Sequence, residues 1–392
     1  MNPLASNEVV LLHDWLTGFR GGERVLEVFC EMFPDAPIYT LLHKLGSTSS
    51  IIEGRQIKCS MLDRVPGVDR NYRKLLPLMP AAVNWMRIGE PARLVLSSHH
   101  CAIKGIRKPP GALHISYIHS PMRYMYDQFD NYFGIGNPLS VRAGGRFFRG
   151  YLTRWDRSSN SEVDIMIANS HFVRTRIQRY YAREAHVVHP FVELDDFKSV
   201  QHSPPEKSDR YVIVSAFAPN KRVDLAIETF NRLRLPLDII GTGQQERRLR
   251  AMAGNTIHFH GSLNRSEVIA TLARSRALIF PGVEDFGITP LEAICAGTPV
   301  IALRAGGVLE TLTEDDTVFF DEPTTSGLAD AIQRFQSKVL RPSFDRMQRF
   351  SKQRFVSEMR AIIDHGLSTH RAAGNTRGSA PRVEASARMD QG

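Results

Sequence analysis

Two glutamates eight positions apart, Glu284 and Glu292, are the residues of this chain best placed to do chemistry. They lie in Phe280-Pro-Gly-Val-Glu-Asp-Phe-Gly-Ile-Thr-Pro-Leu-Glu-Ala-Ile-Cys-Ala-Gly-Thr-Pro-Val-Ile-Ala302. An apolar strand, Ala277 to Phe280, opens into a Pro/Gly loop that carries Glu284. Thr289-Pro290 then starts a helix, and Gly297 ends it. Open α/β sheets bind ligands just beyond the carboxyl ends of their strands. A carboxylate there accepts hydrogen bonds from paired hydroxyls, and free helix amides beside it hold anions. The pair therefore suits a ligand with sugar hydroxyls at two places and phosphates between them. Glu292 also has a plainer reading. Thr289, Pro290 and Glu292 fit the N-cap, N1 and N3 positions of a capping box, which would confine Glu292 to holding its own helix start.

Three further places fit an anionic ligand. Gly21-Gly22-Glu23-Arg24 follows the first strand and opens the first helix, where paired glycines let backbone amides approach a phosphate or simply make a tight turn. Lys221-Arg222 stands at the start of a helix, an end where the dipole disfavours cations, so an anion nearby is one explanation and ordinary surface charge the other. His119 ends the strand Leu113–Ile118 and points at the cleft side, as a hydrogen-bond donor, a base or a satisfied structural residue. Gly241-Thr-Gly243 is not a dinucleotide fingerprint, because Glu246 takes the place of the third glycine. There is no Asp-x-Asp pair and no His/Cys cluster of ligand spacing, so neither a catalytic metal nor a cofactor is expected.

Strand-length apolar runs alternate with helix-period segments along the chain, the pattern of α/β units with parallel sheets. In the first half the strands are Val9–Leu12, Ile38–Leu41, Leu94–Ser97, Leu113–Ile118, Ile165–Ala168 and Ala185–Val188. In the second half Val212–Ala216, Leu237–Ile240, Ile257–Phe259, Ala277–Phe280, Val300–Ala302 and Thr317–Phe320 alternate with helices such as Val223–Leu233 and Arg265–Ser275. The polar Pro/Ser stretch 201–209 reads as a linker. The expected organisation is an N-terminal domain over 1–200, a C-terminal domain over 210–368, and a disordered Gly-, Ala-, Ser- and Arg-rich tail over 369–392.

The chain has 392 residues, ample for two cores, and a formal charge of +9 concentrated in Arg55–Lys108 and Arg142–Arg157. No recognisable nucleic-acid module or stacking repeat accompanies that charge, so nucleic acid is not an expected partner. Over 142–157, Phe148, Tyr151, Leu152 and Trp155 share one helical face, while Arg142, Arg146 and Arg149 share another. This reads as core packing with arginines in water, or as contact with an anionic membrane surface. No run approaches membrane-spanning length, Met1–Glu8 lacks the marks of a secretory signal, and the four cysteines have no metal-like spacing. A cytoplasmic protein, peripheral on the inner membrane face, is the expected setting.

Taken together, these segments resemble family 4 of the retaining glycosyltransferases. The resemblance implies the GT-B fold, two Rossmann-like doubly wound α/β domains facing across a cleft. Glu284 and Glu292 resemble that family's E-x7-E motif, Gly21-Gly22 its donor-phosphate loop and Lys221 its diphosphate-binding lysine. Within the family, His13 to Arg24 and Tyr117 to Tyr124 look like the bacterial O-antigen and exopolysaccharide mannosyltransferases. The resemblance implies that Glu284 holds the transferred sugar, Glu292 the ribose, and His119 the reacting centre. It further implies that Gly21, Gly22, Lys221, Arg222 and the run Phe286, Gly287, Ile288 and Thr289 bind the donor. One departure is Ala216, where many members carry an arginine; either Arg222 substitutes for it or the leaving group leans more on Lys221 and the amides. The expected reaction is metal-independent transfer of a sugar, mannose from GDP-mannose, to a lipid-linked or lipopolysaccharide glycan. The alternatives are another GT-B enzyme, such as a sugar-nucleotide epimerase, and a non-enzymatic basic binding protein.

Overall fold

A computed structural model describes residues 4–134 and 139–378. Among the described residues, thirteen strands form two wholly parallel sheets. The first is built from β1 (Val9–His13), β2 (Ile38–Thr40), β3 (Ile57–Cys59), β4 (Leu94–His99), β5 (Leu113–Ile118), β6 (Ile165–Ala168) and β7 (His186–Val187). The second holds β8 (Tyr211–Val214), β9 (Leu237–Ile240), β10 (Ile257–Gly261), β11 (Leu278–Phe280), β12 (Val300–Leu303) and β13 (Thr317–Phe320). Their orders, β3-β2-β1-β4-β5-β6-β7 and β10-β9-β8-β11-β12-β13, share one topology. Each reverses direction beside its first strand, which leaves a crevice at the carboxyl ends of β1 and β4, and of β8 and β11.

The strands are apolar runs because both sheet faces are covered. Val10 and Leu12 of β1 enter one core, Val9 and Leu11 the other. The helices that carry the site are α1 (Gly21–Met32), α2 (Leu139–Ser158), α3 (His171–Tyr181), α4 (Val223–Leu233), α5 (Arg265–Arg274), α6 (Ile288–Cys295), α7 (Val308–Thr311) and α8 (Lys352–Gly378). The edge strand β3, Ile-Lys-Cys, was not among the expected strands. It is short and only partly buried, so its sequence lacks an apolar run.

The chain crosses between the cores earlier than the stretch 201–209. Phe191 packs in the first core and Val192 in the second. Residues 352–368, expected in the second domain, return to the first: Phe355, Met359 and Ile363 of α8 pack with Val9, Leu11 and Tyr117. The two crossings run side by side. The Val192 amide donates to the Phe350 carbonyl at 2.9 Å. Arg354 donates to the His189 and Pro190 carbonyls at 2.7 and 3.1 Å. The expected disordered tail starts inside α8, which runs to Gly378; the remainder of that tail lies outside the described residues.

Candidate active site

The loop after β11 is gripped by backbone on two sides. A Cβ on Gly282 would lie 2.4 Å from the Asn220 carbonyl oxygen, and one on Gly307 would lie 2.3 Å from that of Asp285. The Gly307 amide donates to the Glu284 carbonyl at 2.9 Å. So held, Glu284 places Oε1 2.5 Å from Lys221 Nζ, and both side chains keep about one-fifth of their surface in solvent. Helix α6 begins at Ile288, with Gly287 as its N-cap at φ 89°, a left-handed conformation suited to glycine. This overturns the capping-box reading. Thr289 and Pro290 are the second and third helical residues, no side chain caps the helix, and Glu292 pairs with Arg265 instead. Arg265 also bonds Asp196 at 2.9 Å. The first amides of α6 are therefore left facing the cleft, the arrangement that binds anions.

On the opposite wall, α1 also begins at a glycine pair, Gly21-Gly22, with Glu23 accepting the Arg20 amide at 3.0 Å. A Cβ on Gly21 would be 3.2 Å from Ile288 Cδ1, so the starts of α1 and α6 face each other across the cleft. Beneath Gly22 lie His13 and His119, 3.5 and 3.6 Å from a Cβ built there. His119 is paired with Ser98 Oγ at 2.8 Å. Burial, with the neighbouring His100 and His13, pushes its pKa well below the ordinary value, so it meets a ligand as a neutral imidazole. Both ring nitrogens of His13 are buried without a hydrogen bond. Asp14 anchors this wall by accepting the amides of His100, Cys101, Ala102 and Ile103 at 2.7 to 2.9 Å. Burial alone would raise its pKa, but the neighbouring histidines and the amides outweigh it and hold the carboxyl at about 2.

Other expected residues are placed less directly. Arg222, at φ 50°, turns its guanidinium to Asp224 at 3.3 Å, and Ala216 is exposed. The side chain of Phe286 stacks on His189 at the crossing, with ring centroids 5.6 Å apart. Glycines Gly241 and Gly243 serve packing, since a Cβ on either would strike the backbone of Ser215 or Phe217.

The sequence did not reveal the contacts between domains. Asp285, beside Glu284, is bound by Arg123 and by Arg176, the latter at 2.6 Å. Ser170 Oγ donates to the Asp285 carbonyl at 2.6 Å. Glu310 on α7 accepts the first amides of α3, His171 and Phe172, at 2.7 and 2.8 Å, and His189 Nε2 at 3.0 Å. Burial works against its charge, and His189 with those amides lowers its pKa overall. The ligand atoms of His171, His189 and Glu310 lie within 4.8 Å of one another, a trio the fold assembles from distant segments.

A family model described as glycosyl transferases group 1 matches residues 195–354. Over that stretch the chain is similar in sequence to the group 1 glycosyl transferases. Its sequence is 26% identical over 227 residues to the alpha-1,3/1,6-mannosyltransferase of Homo sapiens, covering 48% of this chain and 54% of that protein. It is 26% identical over 221 residues to a GDP-mannose-dependent alpha-(1-6)-phosphatidylinositol monomannoside mannosyltransferase of Mycolicibacterium smegmatis, covering 46% of this chain and 58% of that one. The chain thus spans about half the length of these relatives. In fold it is similar to a sucrose-phosphate synthase from Thermosynechococcus elongatus, at TM-score 0.69 and 14% identity over 92% of this chain and 100% of that one. It is also similar to the lipopolysaccharide outer core galactosyltransferase WaaB in its apo form, at TM-score 0.62 and 15% identity over 91% and 99%. The expected GT-B fold is the fold observed.

The cleft thus brings together one imidazole held toward its neutral form, one lysine–carboxylate pair, and two helix starts, one opening on Gly21-Gly22 and one preceded by Gly287. Such a set can hold a diphosphate at the centre and hydroxyls at either side.

Proposed function

We propose that this protein is a retaining, metal-independent hexosyltransferase that moves mannose from GDP-mannose to a lipid-linked or lipopolysaccharide/exopolysaccharide glycan. The observation that carries the reading is the Lys221–Glu284 pair set beside the uncapped start of α6, opposite Gly21-Gly22. As the sugar–phosphate bond breaks, negative charge grows on the leaving diphosphate. The Gly22, Gly287 and Ile288 amides and Lys221 stabilise that charge from fixed positions. Lys221, partly open to solvent, exchanges Glu284 for the diphosphate, and Glu284 is freed to accept sugar hydroxyls. Glu292 takes the ribose hydroxyls from its place beside Arg265. His119 donates to, or accepts from, a hydroxyl near the reacting carbon. The mannosyltransferase names of the two relatives favour mannose, and one of them favours GDP-mannose.

A membrane-side acceptor is favoured by α2. Of the apolar face read from the sequence, Leu152 is in the core but Tyr151 is 46% exposed and Phe148 36%, and the neighbouring Phe147 is 81% exposed. Arg149 turns inward instead, to the Met125 carbonyl at 3.0 Å and over the Phe129 ring. At about 100° per residue, Phe147, Tyr151 and Phe148 share one outward sector and Arg146, Arg157 and Arg154 the next. A symmetric pairing of two copies would set arginines against arginines, whereas an anionic lipid leaflet complements both sectors. No helix among the described residues is long and apolar enough to cross a membrane.

A thermal-shift panel of nucleotide sugars, followed by product analysis with acceptor glycans, tests the reaction. The largest shift is expected with GDP-mannose, and the product should be a glycoside with the donor's anomeric configuration. Conversion of the nucleotide sugar to an isomer with no glycoside formed would instead establish epimerisation. Co-sedimentation with anionic vesicles, weakened by Phe147→Ser with Phe148→Ser and by high salt, tests the surface; equal recovery in the supernatant under every condition removes it.

A further inference from the structure

Asp285 is next to the proposed sugar-binding carboxylate, yet its own side chain turns away from the cleft toward the other domain. It is 9% exposed. One carboxylate oxygen meets Arg176 at 2.6 Å, and the other meets Arg123. Arg176 is itself 5% exposed, and it is fixed by Ser120 Oγ at 2.9 Å and Asp127 at 2.7 Å. Arg123 stands four residues after His119 in the same loop. The Asp285 carbonyl is taken as well, by the Ser170 hydroxyl that caps α3. Every one of these partners belongs to the first domain. Glu284 and Lys221 belong to the second.

We infer that Asp285 is a positioning residue through which contact between the two domains sets Glu284 and Lys221 against His119 and Gly22. The consequence for turnover rests on the glycosyl-transfer reading; the clasp itself does not. The physical case has two parts. With Arg123 and Arg176 on one side and the Gly306-Gly307 backbone on the other, the Glu284–Phe286 loop has little freedom while the domains touch. When they part, Asp285 and both arginines return to water. A buried ion pair nearly offsets its own desolvation, so such a clasp gives strong geometric preference with little net hold. That balance suits a contact that must form and release once per turnover. Removing the carboxylate takes away the charge shared by the two guanidinium groups and leaves Asp127, paired with Arg176, as the remaining carboxylate there, which weakens closure directly.

On the proposed reading every contact to the nucleotide part of the donor lies on the second domain except the Gly21-Gly22 amides at the diphosphate, so the test separates binding from closure. Asp285→Asn keeps the size and removes the charge, and Arg176→Gln and the double variant complete a cycle. Three quantities are read: GDP affinity by calorimetry, radius of gyration with saturating GDP by small-angle scattering, and kcat and KM for the nucleotide sugar. For Asp285→Asn, GDP affinity should stay within about threefold of wild type, the GDP-bound radius of gyration should rise, and kcat should fall by about fiftyfold or more with KM for the donor little changed. The double variant should lose no more than the worse single one. An unchanged radius of gyration overturns the inference whatever the activity does. So does a parallel loss of GDP affinity, which would make Asp285 part of the nucleotide site or of the second domain's own fold. If wild-type protein transfers no sugar from any donor, yet Asp285→Asn expands it, the clasp stands and the reaction assigned to the cleft falls.

Discussion

Gly307→Ala offers a severe test of how the cleft is built, because its effect can be worked from distances. Gly307 is not in a left-handed conformation, so alanine is permitted by its backbone angles. The obstacle is steric alone. Its Cβ would lie 2.3 Å from the Asp285 carbonyl oxygen and 2.5 Å from Phe286 Cα, where ordinary contact begins at 3.4 Å. The atoms in the way are backbone, so the Glu284–Phe286 loop must retreat by about 1 Å, a typical overpacking that costs about 1–3 kcal/mol of stability. A 1 Å displacement of a group that must meet the transition state costs about 100-fold in rate, or about 2.7 kcal/mol of barrier. The assay is release of nucleoside diphosphate at saturating donor, with a melting curve on each sample. Gly150→Ala on α2 is the control. Its Cβ meets nothing within 4 Å. It should leave turnover unchanged and gain about 0.5–1 kcal/mol of stability. A Gly307→Ala protein with wild-type melting and kcat within about threefold of normal would refute the claim that the glycine backbone holds Glu284 in register.

Glu284→Gln should leave the fold intact and reduce transfer by more than about 100-fold, as judged from initial rates and melting; a near wild-type rate in folded protein removes Glu284 from the reaction. Asp14→Asn should destabilise the first domain by about 3 kcal/mol in denaturant titration, since an amide cannot accept from all four N–H groups that Asp14 serves. The same carboxyl sets an acid limit. Its folded pKa, about 2, lies below the ordinary 3.8, so its contribution is complete above about pH 4 and is lost as pH falls through both values; a stability profile flat from pH 5 down to pH 2 would contradict this. Because burial lowers the His119 pKa well below the ordinary value, kcat should show no His119 step between about pH 6 and 8, and a step that vanishes in His119→Ala would show that the imidazole titrates there. Chelator should leave transfer intact, and inhibition by EDTA that magnesium or manganese reverses would establish a metal requirement.

Much of this molecule can be read along the chain. Strands such as Leu113–Ile118, Leu237–Ile240 and Thr317–Phe320 are set by their own apolar runs, and Val223–Leu233 by a strong helical stripe. The glycines that open α1 and precede α6, and the lysine and glutamates in the segments that follow β8 and β11, are local features too, and local chemistry is what a sequence records. Even so, the same segment misled at close range. Thr289 and Glu292 have the spacing of a cap, but Gly287 can take a left-handed turn and Arg265 offers a counter-charge, so the helix starts earlier and the carboxylate points elsewhere. The faces of α2 likewise depend on what lies opposite: Phe133 against Gly145, and Phe129 beneath Arg149, turn an arginine inward and leave Phe147 in water. Only the tertiary structure could decide that Asp285 meets arginines 162 and 109 residues away, that Glu310 caps a helix of the other domain, and that α8 returns to the first sheet. Those pairings carry no period and no spacing, because they are made by two sheets closing on each other rather than by neighbours in the chain.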